Sequence, residues 1–174
     1  MNFYGFYNLQ PAFNIDLKEL RKRYYEKSKA LHPDGNTLHD AEQEDLVYLT
    51  ALNNQAFQTL SDPALRLKYL LDNEFLNQNP EHSRDEPEFI IEMIELHEQI
   101  EEAILNDDQD RLDEAKMKLE KWKEWASEKA SDSLKLFDEG KRNQEIQSAM
   151  LSYYNQLKYF SRLQQILDQT IPDL

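Results

Sequence analysis

No cysteine occurs anywhere in the chain. Disulfides, thiolate metal sites and thiol nucleophiles are therefore excluded, and a reducing compartment is compatible with the composition. Glycine and proline are scarce, at 3 and 6 in 174 residues. Hairpin turns have few places to form, so the chain reads as mostly helix. No apolar run approaches the length that a membrane span needs. The first residues, "MNFYGFYNLQ", lack the basic start and apolar stretch of a signal peptide and the arginine-rich pattern of a transit peptide. The expectation is a soluble cytoplasmic protein. Positive charge is also in short supply, with 20 Lys and Arg against 34 Asp and Glu and a net charge of −14. That argues against a general binder of nucleic acid or of anionic membranes, which needs cations for its phosphate contacts.

The charges that are present are segregated. Between Lys18 and Lys29 lie six basic residues (Lys18, Arg21, Lys22, Arg23, Lys27 and Lys29) and two acids. Between Glu86 and Glu102 lie seven acids and no Lys or Arg. Such asymmetry suggests two surfaces for two different partners.

Asp16 with Glu19 forms a capping-box pattern ahead of an amphipathic helix. Leu17, Leu20, Tyr24 and Leu31 fall on its core face, and Lys18, Lys22, Tyr25 and Lys29 on another. Pro33 ends the helix, because proline lacks an N–H and the residue before it avoids the α region. A second helix is predicted over about 40–60, with Leu49, Asn53, Ala56 and Leu60 inward, helped by Leu46 and Phe57. Ser61-Asp62-Pro63 caps a short third helix. Ahead of these, "FYGFY" reads as a short helical turn packed on the pair. Residues 73–85, asparagine-rich and containing Pro80, read as a linker. Helices are then expected near 86–105, 108–138 and 142–169, broken by Asn106-Asp107-Asp108 and by Gly140. Their short connections make neighbours antiparallel, which gives a three-helix bundle.

The acidic segment carries two apolar stripes. Phe89, Met93, Leu96, Ile100 and Ile104, with Ala103, recur at three- and four-residue steps and can face a core. Ile90, Ile91 and Ile94 are left over, and Ile91, Ile94, Glu95, Glu98 and Glu102 share a different face. Either Ile90 and Ile91 tuck against the linker or the N-terminal half, or they form an exposed patch edged with carboxylates, the mark of a partner site. Metal binding is set aside. "HEQIE", from His97 to Glu101, lacks the second histidine of a zinc helix, and the four histidines are scattered. Trp122 and Trp125 read as packing residues.

His32-Pro33-Asp34, taken alone, is a helix stop with an aspartate at the turn. A catalytic reading would need a pocket and further polar partners, and the tripeptide has no Gly-rich cradle beside it. Its surroundings change the reading. A basic amphipathic helix precedes it. After it come Asn54-Gln55-Ala56-Phe57-Gln58-Thr59-Leu60 and then Asp62-Pro63 with Arg66. This arrangement resembles the J-domain of DnaJ-type co-chaperones. Tyr69-Leu70-Leu71 after that arginine, together with "DEPEFIIEMIELHEQIEEA" at 85–103, is similar to the HscB family, the J-proteins of iron–sulfur cluster assembly. The chain departs from the family's pattern at Gly35, where an aromatic is common, and at Asn53, where an apolar residue is usual.

The resemblance implies an all-α protein that is no enzyme and carries no cofactor. A J-domain would span 1–72, built as an antiparallel helical hairpin with short flanking helices. A linker would span 73–85, and a C-terminal three-helix bundle 86–174. His32, Pro33 and Asp34 would contact a DnaK-type (HscA-like) chaperone and trigger its ATP hydrolysis, with Arg21, Lys22, Arg23 and Lys29 steering the contact. An IscU-type iron–sulfur scaffold protein would bind Ile90, Ile91, Ile94, Glu95, Glu98, Glu102 and Tyr159. The alternatives are a J-protein presenting a different client, and a helical adaptor in which the tripeptide is incidental.

Overall fold

The computed structural model describes residues 2–31, 40–75 and 86–169, without the side chains of 40–44. Among these residues there are seven helices and no strand, so the fold is all-α. The chain divides into two compact units, Met1–Asn73 and Glu74–Leu174.

The first unit is built from α1 (Phe3–Phe6), α2 (Leu17–Ala30), α3 (Asp40–Ser61) and α4 (Pro63–Glu74). α2 begins where the Asp16 side chain accepts from the N–H groups of Lys18 and Glu19, at 2.8 and 3.2 Å. This is half of the expected capping box, since the Glu19 carboxylate pairs with Arg23 at 2.7 Å instead. α2 and α3 form an antiparallel hairpin. Tyr24 stacks on Phe57 with ring centres 4.3 Å apart, and Ser28 meets Asn53 at 2.9 Å, so numbers rise along one helix as they fall along the other. Leu20, Ala56, Leu60, Leu67 and Leu70 are fully buried between the helices. Leu17, expected in this core, is 48% exposed; the buried stripe of α2 starts one turn later, at Leu20. Leu52 joins the core without having been expected there. α4 starts at Pro63 under an Asp62 cap that takes the N–H of Leu65 at 2.8 Å. Arg66, almost fully buried, donates to the Leu60 carbonyl at 2.6 Å and lies over the Phe13 ring. A cation there complements the negative end of α3.

Asn53 is a buried polar hub. Its side-chain amide donates to the Tyr24 carbonyl and to Ser28 Oγ, at 3.3 and 2.9 Å. Its carbonyl groups, main-chain and side-chain, lie 2.8 Å from the Tyr7 hydroxyl that donates to them. An apolar residue would pack here; asparagine instead joins α2, α3 and the end of α1 through bonds that a dry interior makes costly to break. Burial, with Tyr24 nearby, pushes the Tyr7 hydroxyl well above the ordinary tyrosine pKa. Tyr7→Phe leaves the Asn53 oxygens short of a donor and should cost about 1–2 kcal/mol in urea melts at neutral pH. An unfolded tyrosine ionises near pH 10, so the contribution of Tyr7 is whole below about pH 10 and is lost as pH rises above it. The variant's stability should therefore fall less steeply than wild type above that pH.

The second unit is an antiparallel bundle of α5 (Pro87–Leu105), α6 (Gln109–Asp138) and α7 (Gln144–Gln169). Both corners use a left-handed residue. Asp107, at φ 53°, follows α5, and the Asp108 N–H returns to the Ala103 carbonyl at 2.9 Å. Gly140, at φ 92°, follows α6, and the Lys141 N–H returns to the Leu136 carbonyl at 3.0 Å. These are Schellman closures, which satisfy the last carbonyls of each helix. Asp108 and Asn143 then cap the next helices, through the N–H groups of Arg111 and Ile146. Phe89 centres the core, with the rings of Trp122, Tyr159 and Phe160 all within 5.8 Å. Phe75, inside the stretch read as linker, is buried in this unit against Phe137.

Candidate functional site

On the first unit the question is which cations of α2 are free. Arg21, Lys22 and Lys29 are exposed, as is Tyr25 among them. Arg23 is not free. Its guanidinium donates to the Tyr7 and Asn8 carbonyls at 2.5 and 2.8 Å and to Glu19 at 2.7 Å. Those carbonyls are turned toward it because α1 ends in its own left-handed residue, Asn8 at φ 53°. Arg23 thus ties the end of α1 to α2, while Arg21, Lys22 and Lys29 stand open to solvent. Lys27 lies 4.3 Å from the centre of the Phe6 ring. His32, Pro33 and Asp34 lie outside the described residues.

On the second unit, α5 buries Phe89, Met93, Leu96, Ile100 and Ala103, which fills its core face; Ile104 is half-buried. Ile91 and Ile94 remain 55% and 54% exposed, and Glu95, Glu98 and Glu102 are exposed beside them. Ile90 is half-buried. Tyr159, on α7, is 37% exposed with its ring edge-on to Phe89. Ile94, Glu98 and Tyr159 line one groove of about 370 Å³, together with Met93, His97 and Leu163. Glu102 is drawn aside by Arg111, at 3.3 Å, at the corner with α6. Of the expected site residues, the structure therefore brings Ile94, Glu98 and Tyr159 together. Ile91 and Glu95 stand on the open face of the same helix, and Glu102 is partly occupied.

The sequence reading missed Leu105, which is 85% exposed. It stands eleven residues after Ile94, close to three full turns, and so extends the same stripe. Its place at the helix break hid that periodicity. His97 was weighed only as a metal ligand. In the structure it lines the groove with its ring 3.7 Å from Glu101. Among the described residues no cluster of three or more His, Asp or Glu is placed to hold a metal, and no helix is long and apolar enough to cross a membrane.

A helical hairpin carrying a buried arginine, and a three-helix bundle with an open acidic and apolar face, define a two-unit all-α protein. The family described as the HSCB C-terminal oligomerisation domain matches residues 85–168. A co-chaperone protein HscB homolog of Shewanella sp. (strain W3-18-1) is 35% identical over 118 residues, covering 66% of this chain and 67% of that protein. The homolog of Colwellia psychrerythraea is 32% identical over 106 residues, 59% of this chain and 60% of its own length. Chaperone HscB from Vibrio cholerae shares the fold with a TM-score of 0.77 at 24% identity, over 98% of this chain and 100% of that one. Human co-chaperone protein HscB does so with a TM-score of 0.80 at 20% identity, over 99% and 84%. The chain belongs to the HscB co-chaperone family.

The clasped and the open cations of α2 separate in a stability measurement. Arg23→Ala removes charge-assisted bonds to two carbonyls and a carboxylate and should lower stability by about 1–3 kcal/mol. Lys22→Ala, on the open face, should stay within about 0.5 kcal/mol of wild type in the same denaturant melts.

Proposed function

We propose that this protein is a non-enzymatic co-chaperone of the cytoplasm that brings an IscU-type iron–sulfur scaffold protein to a DnaK-type, HscA-like chaperone and stimulates that chaperone's ATPase. It works without a cofactor, nucleic acid or membrane. The observation that carries the reading is the second stripe of α5. Ile91 and Ile94 stay more than half exposed on a helix whose core face is already full, and carboxylates flank them. Exposed isoleucines rimmed by charge suit a protein partner whose own patch is apolar and basic. The opposite sign stands on the first unit. Arg21, Lys22 and Lys29 suit an acidic patch on the chaperone, where they speed encounter and fix register while His32, Pro33 and Asp34 act on its ATPase. The hydrolysis chemistry then belongs to the chaperone, and this chain supplies binding energy and placement.

The description of the matching family raises a second reading, in which the α5 face joins a second copy of the chain. Seven acids with no Lys or Arg between Glu86 and Glu102 work against it, since two such faces repel one another. Measuring ATPase stimulation with and without the scaffold protein tests the whole proposal. His32→Gln should fold normally and lose stimulation; a variant that stimulates as well as wild type would end the chaperone reading.

The scaffold site has its own test. Full burial of an isoleucine contributes about 1.5–3 kcal/mol, and half of each side chain is already covered. Ile91→Ala with Ile94→Ala should weaken scaffold binding by about 2 kcal/mol, or about thirtyfold. Stimulation in the absence of scaffold should be unchanged. A double variant that binds normally, or that unfolds, contradicts the site.

A further inference from the structure

We propose that Lys158 and Arg162 form a cationic wall of the α5–α7 groove and take a carboxylate of the docked scaffold protein. The inference rests on the scaffold reading above and adds specificity residues on a second helix. Between Gln144 and Gln169 they are the only Lys or Arg of α7. They stand one turn apart on either side of Tyr159, and both are exposed. Arg162 lines the groove with Ile94, Glu98 and Tyr159. With Lys158, Asn155 and Tyr159 it also lines an adjoining hollow of about 400 Å³.

Among the other cations of this unit, Arg111, Lys116, Lys123, Lys129 and Arg142 each pair with a carboxylate, whereas Lys121 and Lys135, on α6, have no ion pair among the described residues. Arg162 has no ion pair or hydrogen bond among the described residues, although Glu98 and Glu101 line the same groove. Lys158 only lies over the Tyr154 ring, 5.0 Å from its centre. Had these cations served merely to neutralise α5, closing on Glu98 or Glu101 would be the cheapest arrangement. The groove instead stays open, with Glu98 and Glu101 on its α5 side, Arg162 on its α7 side and Lys158 beside it in the adjoining hollow, while Ile94 and Tyr159 supply apolar lining. Two like charges one helical turn apart repel, and a bound anion relieves that repulsion. A two-signed rim also fixes orientation. It accepts an apolar side chain only where the partner carries a cation toward α5 and an acid toward α7, and it rejects the reverse.

The test uses the full chain carrying Lys158→Glu and Arg162→Glu, with binding of the IscU-type scaffold protein followed by biolayer interferometry. The dissociation constant should rise at least about tenfold at low salt, chiefly through slower association. The gap should shrink at about 0.5 M salt, where exposed charges are screened. Thermal midpoint and scaffold-free ATPase stimulation should match wild type. If the midpoint falls, Lys158→Gln with Arg162→Gln replaces the reversal, with an expected loss of about threefold. Scaffold binding unchanged in both pairs overturns the proposal. So does a wild-type dimer in sedimentation that the reversal dissociates while scaffold binding is kept, because the cations then serve a second copy. Wild type that fails to bind scaffold at all overturns the underlying function. Binding lost in the Ile91→Ala, Ile94→Ala variant but kept in both charge variants overturns the cationic wall alone.

Discussion

A helix in a three-helix bundle meets its neighbours along about half of its circumference. α5 fills that half with Phe89, Met93, Leu96, Ile100 and Ala103. Any further apolar side chain must face water, and Ile91, Ile94 and Leu105 do. The exposed stripe is therefore a consequence of a full core rather than of loose packing. The bundle also makes the stripe rigid. The ring cluster around Phe89 holds α5, α6 and α7 together directly beneath it, and the Asp107 and Gly140 corners fix the helix ends. A partner meeting this face encounters a preformed surface, which reduces the ordering cost of association.

The first unit solves a different problem. Its cationic helix leaves Arg21, Lys22 and Lys29 exposed, and α2 is only fourteen residues long. Packing of leucines alone tolerates small rotations and slides. The Asn53 hub and the Arg23 clasp do not, because each is a set of directional bonds aimed at particular carbonyls. Aromatic packing of Tyr24 on Phe57 adds to the same restraint.

Much of this was legible from residue order. Helices expected near 86–105, 108–138 and 142–169 occur at Pro87–Leu105, Gln109–Asp138 and Gln144–Gln169, because caps and a left-handed corner mark each end. The two faces of α5 followed from turning 100° per residue. What the sequence concealed were contacts with no period. Arg23 sits within a run of cations and looks like its neighbours. Its targets are carbonyls of a turn fifteen and sixteen residues earlier, exposed to it by the backbone of Asn8. Glu102 matches Glu95 and Glu98 in spacing, yet the corner brings Arg111 to it alone. Leu17 has the spacing of a core residue but lies ahead of the point where α2 meets its neighbours. The apposition of Arg162 with Ile94 depends on how α7 returns along α5, which no local pattern encodes.

Along α5, Glu86 and Glu102 have counter-charges in Lys129 and Arg111, and Glu101 lies 3.7 Å from the His97 ring. Glu88, Glu92, Glu95 and Glu98, three and four residues apart, have no ion-pair partner among the described residues. Like charges at this spacing destabilise a helix by a few tenths of a kcal/mol per pair. The free protein thus carries a small internal load that a cationic partner removes on arrival. Part of the affinity of this face is then relief of repulsion already present, and a bound partner reinforces the bundle by mass action as well as by contact. Salt acts on both sides of that balance: it screens the attraction to the partner and it also quiets the unbound helix.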